Sequence, residues 1–357
     1  MDSAELTVKA KFIYHLLGPS QIHSRDLEGM NAGIAVDKLI SELKNYYLVF
    51  QNSYDEQFKE RLNTTLESLK FASTIYYELA NISSRKTSPK QENEKIQKIA
   101  GLIYQKICGL KAHQSIAFLG GYRGKFVENH YAGHAALYEI KAEPNGTFSL
   151  FINNTGEGIG TYHKISDFYR RGYPLEYSNI DLKDLNEAFW CELCRLGQTV
   201  SSMTEIYDFI DLKLNKKNGN KTPGRKIKLQ RTGVCAFKCV SSWIHGKIAP
   251  GPTAKKRLPA EELMYERFKK HLIEKKILEM QDPIFQTFMK TRMSAYKKKP
   301  LSFLITFIVN LFKSCFKIHW EPHIHYKGER LVNLLNHELQ KKKNHIEMKI
   351  RNLEKRV

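Results

Sequence analysis

The stretch GHAALYEIKAEPNGTFSLFINN, residues 133–154, decides the fold class. Residues 132–142 are short-range apolar and β-compatible, residues 147–153 alternate, and Glu143-Pro144-Asn145-Gly146 between them is turn chemistry. Two β-compatible runs joined by an Asn-Gly turn read as a β-hairpin. If Asn145-Gly146 is a two-residue loop, Tyr138 faces Asn153. That pairing puts Asn153 on the face of His134 and Glu157 opposite His134. A one-residue change of register selects Asn154 instead, so Asn153, Asn154 and Glu157 all remain open as partners of the imidazole.

Outward from the hairpin, residues 114–119 add a further β-compatible run. Upstream, Ile34, Val36, Leu39, Ile40 and Leu43, then Leu62, Leu66, Leu69 and Phe71, recur at three- and four-residue spacings. This is a helical unit, interrupted by the polar stretch 83–90 and resumed from Ile96 to Leu110. Downstream, residues 155–160 form a glycine-bearing loop and residues 180–213 return to helix. The basic stretch 213–228 is a loop that delivers the chain to Gln230. Beyond Pro250-Gly251-Pro252 the sequence is helical and strongly basic. The expected class is α+β, with a helical region 1–112, a central core 113–250 and a basic helical region 251–357.

The residues that carry chemistry are ordered His134, then Asn153 or Asn154, then Gln230, then Cys235. A free thiol ionises near 8.5, and attack on a carbonyl requires the thiolate, so a site must lower that value or supply a base. Thr232-Gly233 is a turn candidate and Ala236 to His245 is long enough for a helix, which places Cys235 at a positive helix N-terminus. The same turn lets the Cys235 amide face a developing oxyanion, and Gln230 adds a side-chain donor. His134 on a strand is a rigidly held base, oriented by an amide from the neighbouring strand. His163 follows the glycine loop as a solvated alternative base, and His130 is a weaker one.

Other clusters are read structurally. Cys191-Glu192-Leu193-Cys194 lies in a helix-like run without the tight turn of a zinc knuckle, and His319, His323 and His325 form a polar loop, so no metal or cofactor is assigned. Gly120-Gly121-Tyr122-Arg123-Gly124-Lys125 lacks the phosphate-loop ending and reads as a glycine-rich loop beside the cleft.

The 57 Lys+Arg against 37 Asp+Glu give a formal charge of +20, which favours acidic partners. Nucleic acid is the less attractive one, because no nucleic-acid-binding motif accompanies the charge. Six cysteines in a long chain fit a reducing compartment, and the N-terminus lacks the pattern of a cleaved secretory signal. The apolar run 301–312 is too short to span a bilayer and reads as a buried helix. Its lysine flanks make residues 297–317 a candidate anchor on an anionic membrane surface.

The ordered set His134, Asn153 or Asn154, Gln230 and Cys235 resembles the cysteine peptidases and acetyltransferases of the Ulp and YopJ type, over roughly residues 114–246. That group runs His, an acidic or amide residue on the next strand, Gln, then Cys on a helix N-terminus. The chain departs from the usual pattern in the Ala after His134, in an amide where a carboxylate is usual, and in a Gln230 one residue closer to the cysteine than is usual. The resemblance implies a Ulp/YopJ-like core and a thiol hydrolase acting on ubiquitin-like conjugates or protein amides. It also implies acyl transfer as a second chemistry, and by analogy a bacterial effector acting in a host cytosol. The rival from another class is a non-enzymatic adaptor that binds membrane or protein through the basic C-terminal region.

Overall fold

The computed structural model describes residues 3–17, 22–23, 32–50, 56–82, 88–122, 126–127, 130–131, 133–163, 165–166, 171–172, 174–200, 202–214, 227–228, 235–249, 259–293, 295–298 and 323–357. These fall into two compact units, residues 29–269 with 349–357, and residues 1–28 with 270–348. The units cut across the three stretches 1–112, 113–250 and 251–357. Helices α1 (Ser3–Leu17), α2 (Ala32–Phe50), α3 (Glu56–Ala80) and α4 (Pro89–Cys108) precede the main strands. α4 begins where the sequence supplies a capping box: Gln91 N–H donates to the Ser88 hydroxyl, Ser88 N–H donates to the Gln91 side chain, and Pro89 opens the first turn.

The strands are β1 (Ile22–His23), β2 (Ser115–Tyr122), β3 (Phe126–Val127), β4 (His130–Tyr131), β5 (His134–Ala142), β6 (Phe148–Asn153), β7 (Ile165–Ser166), β8 (Arg171–Gly172), β9 (Leu175–Ile180), β10 (Ile227–Lys228), β11 (Ala295–Lys298) and β12 (His323–Tyr326). The remaining helices are α5 (Ile159–Tyr162), α6 (Glu187–Thr199), α7 (Met203–Lys213), α8 (Cys235–Ile248), α9 (Pro259–Glu279), α10 (Pro283–Arg292) and α11 (Gly328–Glu354). The architecture is α+β.

In the larger unit the antiparallel sheet β2-β5-β6-β9 is packed on both faces. Strand alternation sorts β5 cleanly. Ala136, Tyr138, Ile140 and Ala142 join the core formed with α4, α6 and α7, where Phe118 meets the buried Trp190 edge-on at 5.3 Å. Leu137 and Glu139 point to the other face, which α8 covers: the Trp243 indole N–H donates to Glu139 at 2.7 Å, and the Lys247 ammonium also binds Glu139. α8 buries Cys239, Val240, Trp243, Ile244 and Ile248, a stripe at helical spacing.

The hairpin turns on three residues rather than two. Gly146 N–H donates to Glu143 C=O at 3.1 Å and Glu143 N–H to Thr147 C=O at 2.8 Å, with Gly146 at φ +82°. Pro144 and Asn145 make the turn and Gly146 takes the left-handed position that follows it. The added loop residue shifts the register by one, so Leu137 pairs with Asn153 and Tyr138 with Ile152. This corrects the two-residue-loop expectation and moves Asn153 off the face of His134.

Gly120-Gly121-Tyr122, expected in a loop, ends β2 and pairs with residues 134–136. Gly121 sits at φ +104°, and a Cβ there would lie 2.0 Å from the carbonyl oxygen of His134. Gly121→Ala is expected to lower stability by about 2 kcal/mol or more, through left-handed strain and overpacking against backbone. A urea midpoint equal to that of the unmodified protein would remove this reading of the β2–β5 approach.

In the smaller unit β11 pairs with both β1 and β12, and Lys276 is buried with its ammonium 5.0 Å from the Phe12 ring centroid. His323 and His325 lie on β12, a strand where a loop was expected. Basic residues of the C-terminal region are partly matched locally: Lys270 with Glu347 at 3.2 Å and Lys343 with Glu274 at 3.1 Å here, and Arg267 with Glu354 at 2.9 Å in the larger unit. The run 301–312 and most of 297–317 lie outside the described residues, as does His319. No helix among the described residues is long and apolar enough to cross a membrane.

Candidate functional site

His134 opens β5 and is buried, 8% exposed. Its Nε2 lies 2.7 Å from the side-chain oxygen of Asn154, the residue directly after β6. Main-chain contacts set which end of that amide is which. Gly156 N–H donates to Oδ1 at 2.9 Å, and Nδ2 donates to the Glu157 carbonyl at 2.6 Å. Since a main-chain N–H only donates and a carbonyl only accepts, Oδ1 is the atom facing the imidazole. An amide oxygen accepts only, so His134 donates from Nε2. In the neutral ring Nδ1 then carries the basic lone pair.

Among the three alternatives for that partner, the register therefore brings Asn154 to His134. Asn153 is paired with Leu137 and shares its face, the one α8 covers. The Glu157 carboxylate accepts from the Tyr122 hydroxyl and, at 3.3 Å, from Met203 N–H, so it braces the loop against β2 and α7. Its own contribution to the amide is through its main chain. Tyr122 pairs with His134 across the strands, and the two rings are near-parallel with centroids 6.4 Å apart.

The amide has one more partner, which the sequence reading missed. Asn154 Nδ2 also donates to the Tyr207 hydroxyl at 2.9 Å, and that hydroxyl lies 2.7 Å from His163 Nε2. Tyr207 and Asn154 are fully buried and His163 is 3% exposed. Burial holds the Tyr207 phenol well above its ordinary pKa, the Asn154 bond opposing that shift, so it stays protonated. The phenol accepts from Asn154 and is within hydrogen-bond distance of His163. His163 was expected in solvent; the short helix α5 instead turns the chain inward, and Tyr162 stacks on Tyr207 at 4.5 Å. A signal was present: Tyr207 lies in the buried stripe Met203, Ile206, Tyr207, Ile210 of α7, and a phenol buried in such a stripe needs a polar partner.

Cys235 is the first residue of α8, and its side chain lies outside the described residues, as does Gln230. α8 is anchored to β5 by Glu139 and, through Lys247, to the Ser115 hydroxyl of β2 at 2.8 Å. Among the other described thiols, Cys108 is exposed and Cys191 half-buried, whereas Cys194 and Cys239 lie in the core. Burial pushes the Cys194 thiol up to about 12, which leaves it un-ionised at neutral pH, and Cys239 is fully buried. His130 lies on β4. No group of three metal-ligating side chains occurs among the described residues.

No family model and no curated protein matches the sequence. Among solved structures, one titled as that of the Legionella effector AnkH is similar to 80% of this chain with a TM-score of 0.51 at 11% identity. This chain spans 56% of that chain, little more than half its length. At such identity the likeness is one of fold.

Proposed function

We propose that this chain is an effector-type thiol enzyme with a Ulp/YopJ-like core, in which Cys235 attacks the carbonyl of a protein amide or ubiquitin-like C-terminus. The observation that carries this reading is the buried His134–Asn154 pair, whose amide is locked by main-chain bonds at both ends. Cys235 opens a helix packed on the strand that His134 begins. The fold likeness to a Legionella effector supports the effector part and is silent on chemistry.

In the reaction His134 Nδ1 takes the Cys235 thiol proton. The thiolate forms a C–S bond as the carbonyl π pair moves to oxygen, where the α8 N-terminal amides and Gln230 receive the charge. Collapse breaks the C–N bond, and the imidazolium protonates the leaving amine. Water, losing a proton to His134, then attacks the thioester, and the Cys235 thiolate departs. Asn154 keeps the imidazole in the Nε2–H form throughout. In the acyltransferase variant the first acyl donor is a thioester and an amine replaces the water.

Labelling the purified protein with a panel of ubiquitin and ubiquitin-like C-terminal electrophiles tests this. A covalent adduct lost in both Cys235→Ala and His134→Ala is the expected result. Absence of any adduct across the panel would overturn the peptidase form, and an acetyl-thioester transfer assay on the same variants would then decide for or against acyl transfer.

A further inference from the structure

Behind Asn154 stands a buried pair that the reaction above leaves unused. The Asn154 oxygen is shared between His134 and Gly156 N–H, and its nitrogen between the Glu157 carbonyl and the Tyr207 hydroxyl. Both Gly156 and Glu157 belong to the loop that follows Asn154 itself, which the Glu157 carboxylate braces in turn on Tyr122 and Met203. Tyr207 is different: it sits on α7, packed in the core beneath the sheet, 53 residues away in sequence. It is the contact that ties the amide directly to a core helix. Its hydroxyl accepts from Asn154, and His163 Nε2 at 2.7 Å is placed to take its proton, which would polarise the hydroxyl.

We propose that Tyr207, backed by His163, is the positioning residue of this site: it sets the plane of the Asn154 amide and thereby holds His134 in the Nε2–H form. Donor and acceptor types fix two links: Asn154 Nδ2 donates to Tyr207, and His134 donates to Asn154 Oδ1. With the Tyr207 proton directed at His163 Nε2, neutral His163 carries its own on Nδ1. Tyr162, stacked on the Tyr207 ring, keeps the phenol in place when its hydroxyl is removed. The consequence for Cys235 rests on the thiol-enzyme reading, whereas the coupling from Tyr207 to His134 does not.

The test reads that coupling directly on the full-length protein. With ¹⁵N-labelled histidine, and the His134 resonances assigned by their loss in His134→Ala, the exchange of the His134 Nε2 proton with water is measured. Tyr207→Phe is expected to speed this exchange about fivefold, the equivalent of one ordinary hydrogen bond. His163→Leu should do the same by leaving the phenol proton unaccepted, while His163→Gln, whose side-chain oxygen can accept it, should restore the slow rate. Thermal unfolding is recorded for each variant, and the contrast between His163→Leu and His163→Gln carries the test where Tyr207→Phe does not fold. Exchange at the wild-type rate in Tyr207→Phe, or equal rates in the two His163 variants, would overturn the proposal. Alkylation of Cys235 is followed in parallel: independence from His134 in the wild type counts against the thiol-enzyme reading alone and leaves the exchange result standing.

Discussion

His134→Ala slows alkylation of Cys235 by a small neutral reagent about a hundredfold at about pH 6.5 and hardly at all at about pH 9. An unassisted thiol with a pKa near 8.5 is only about one per cent thiolate at the lower pH, whereas a thiolate paired with imidazolium is largely ionised there. At the higher pH both proteins are mostly thiolate and the difference closes. Asn154→Ala should give an intermediate loss, because the imidazole remains but its tautomer and orientation are no longer held. The measurement is the pH dependence of the alkylation rate, with mass spectrometry reporting modification at residue 235. Superimposable profiles with a midpoint near 8.5 in the wild type and in His134→Ala would leave His134 without a role as base.

Glu139→Leu is expected to destabilise the larger unit by about 3 kcal/mol. The carboxylate is 7% exposed and satisfies both the Trp243 indole N–H and the Lys247 ammonium. Leucine leaves the buried indole donor without its acceptor and the partly buried Lys247 cation with the Ser115 hydroxyl but no counter-charge, and each such loss costs on the order of 1–3 kcal/mol. Adding Lys247→Met should recover part of the loss, since removing both charges is less costly than removing one. Urea midpoints across the double-mutant cycle report it. A change below about 0.5 kcal/mol in the single variant would show that α8 is held to β5 by its apolar stripe alone.

Much of the local structure was legible in the chain. The stripe Leu62, Leu66, Leu69 lies on α3 and the hairpin 133–154 is present with its strands nearly as read, while α4 starts at Pro89 rather than Ile96, on a Ser88–Gln91 cap that the reading of 83–90 as loop passes over. These signals are local: a cap, a period and a turn residue act within a few positions. The register was less legible, because Pro144-Asn145-Gly146 can close a hairpin with either two or three loop residues, and only the sum of packing on both faces chooses. Here that choice puts Tyr138 in the core with Trp190, Glu139 under α8, and Asn154 at His134.

The sequence by itself determined an α+β chain, a central hairpin, and the types and order of His134, Asn153, Asn154 and Cys235. Tertiary structure decided which amide meets the imidazole and in which orientation, and it drew His163 and Tyr207 into the same buried network. The physical reason is that hydrogen-bond partnership in a core is set by residues distant in sequence. A loop histidine is solvated by default, yet burial beside Tyr207 demands a partner, and α7 brings the phenol to both His163 and Asn154.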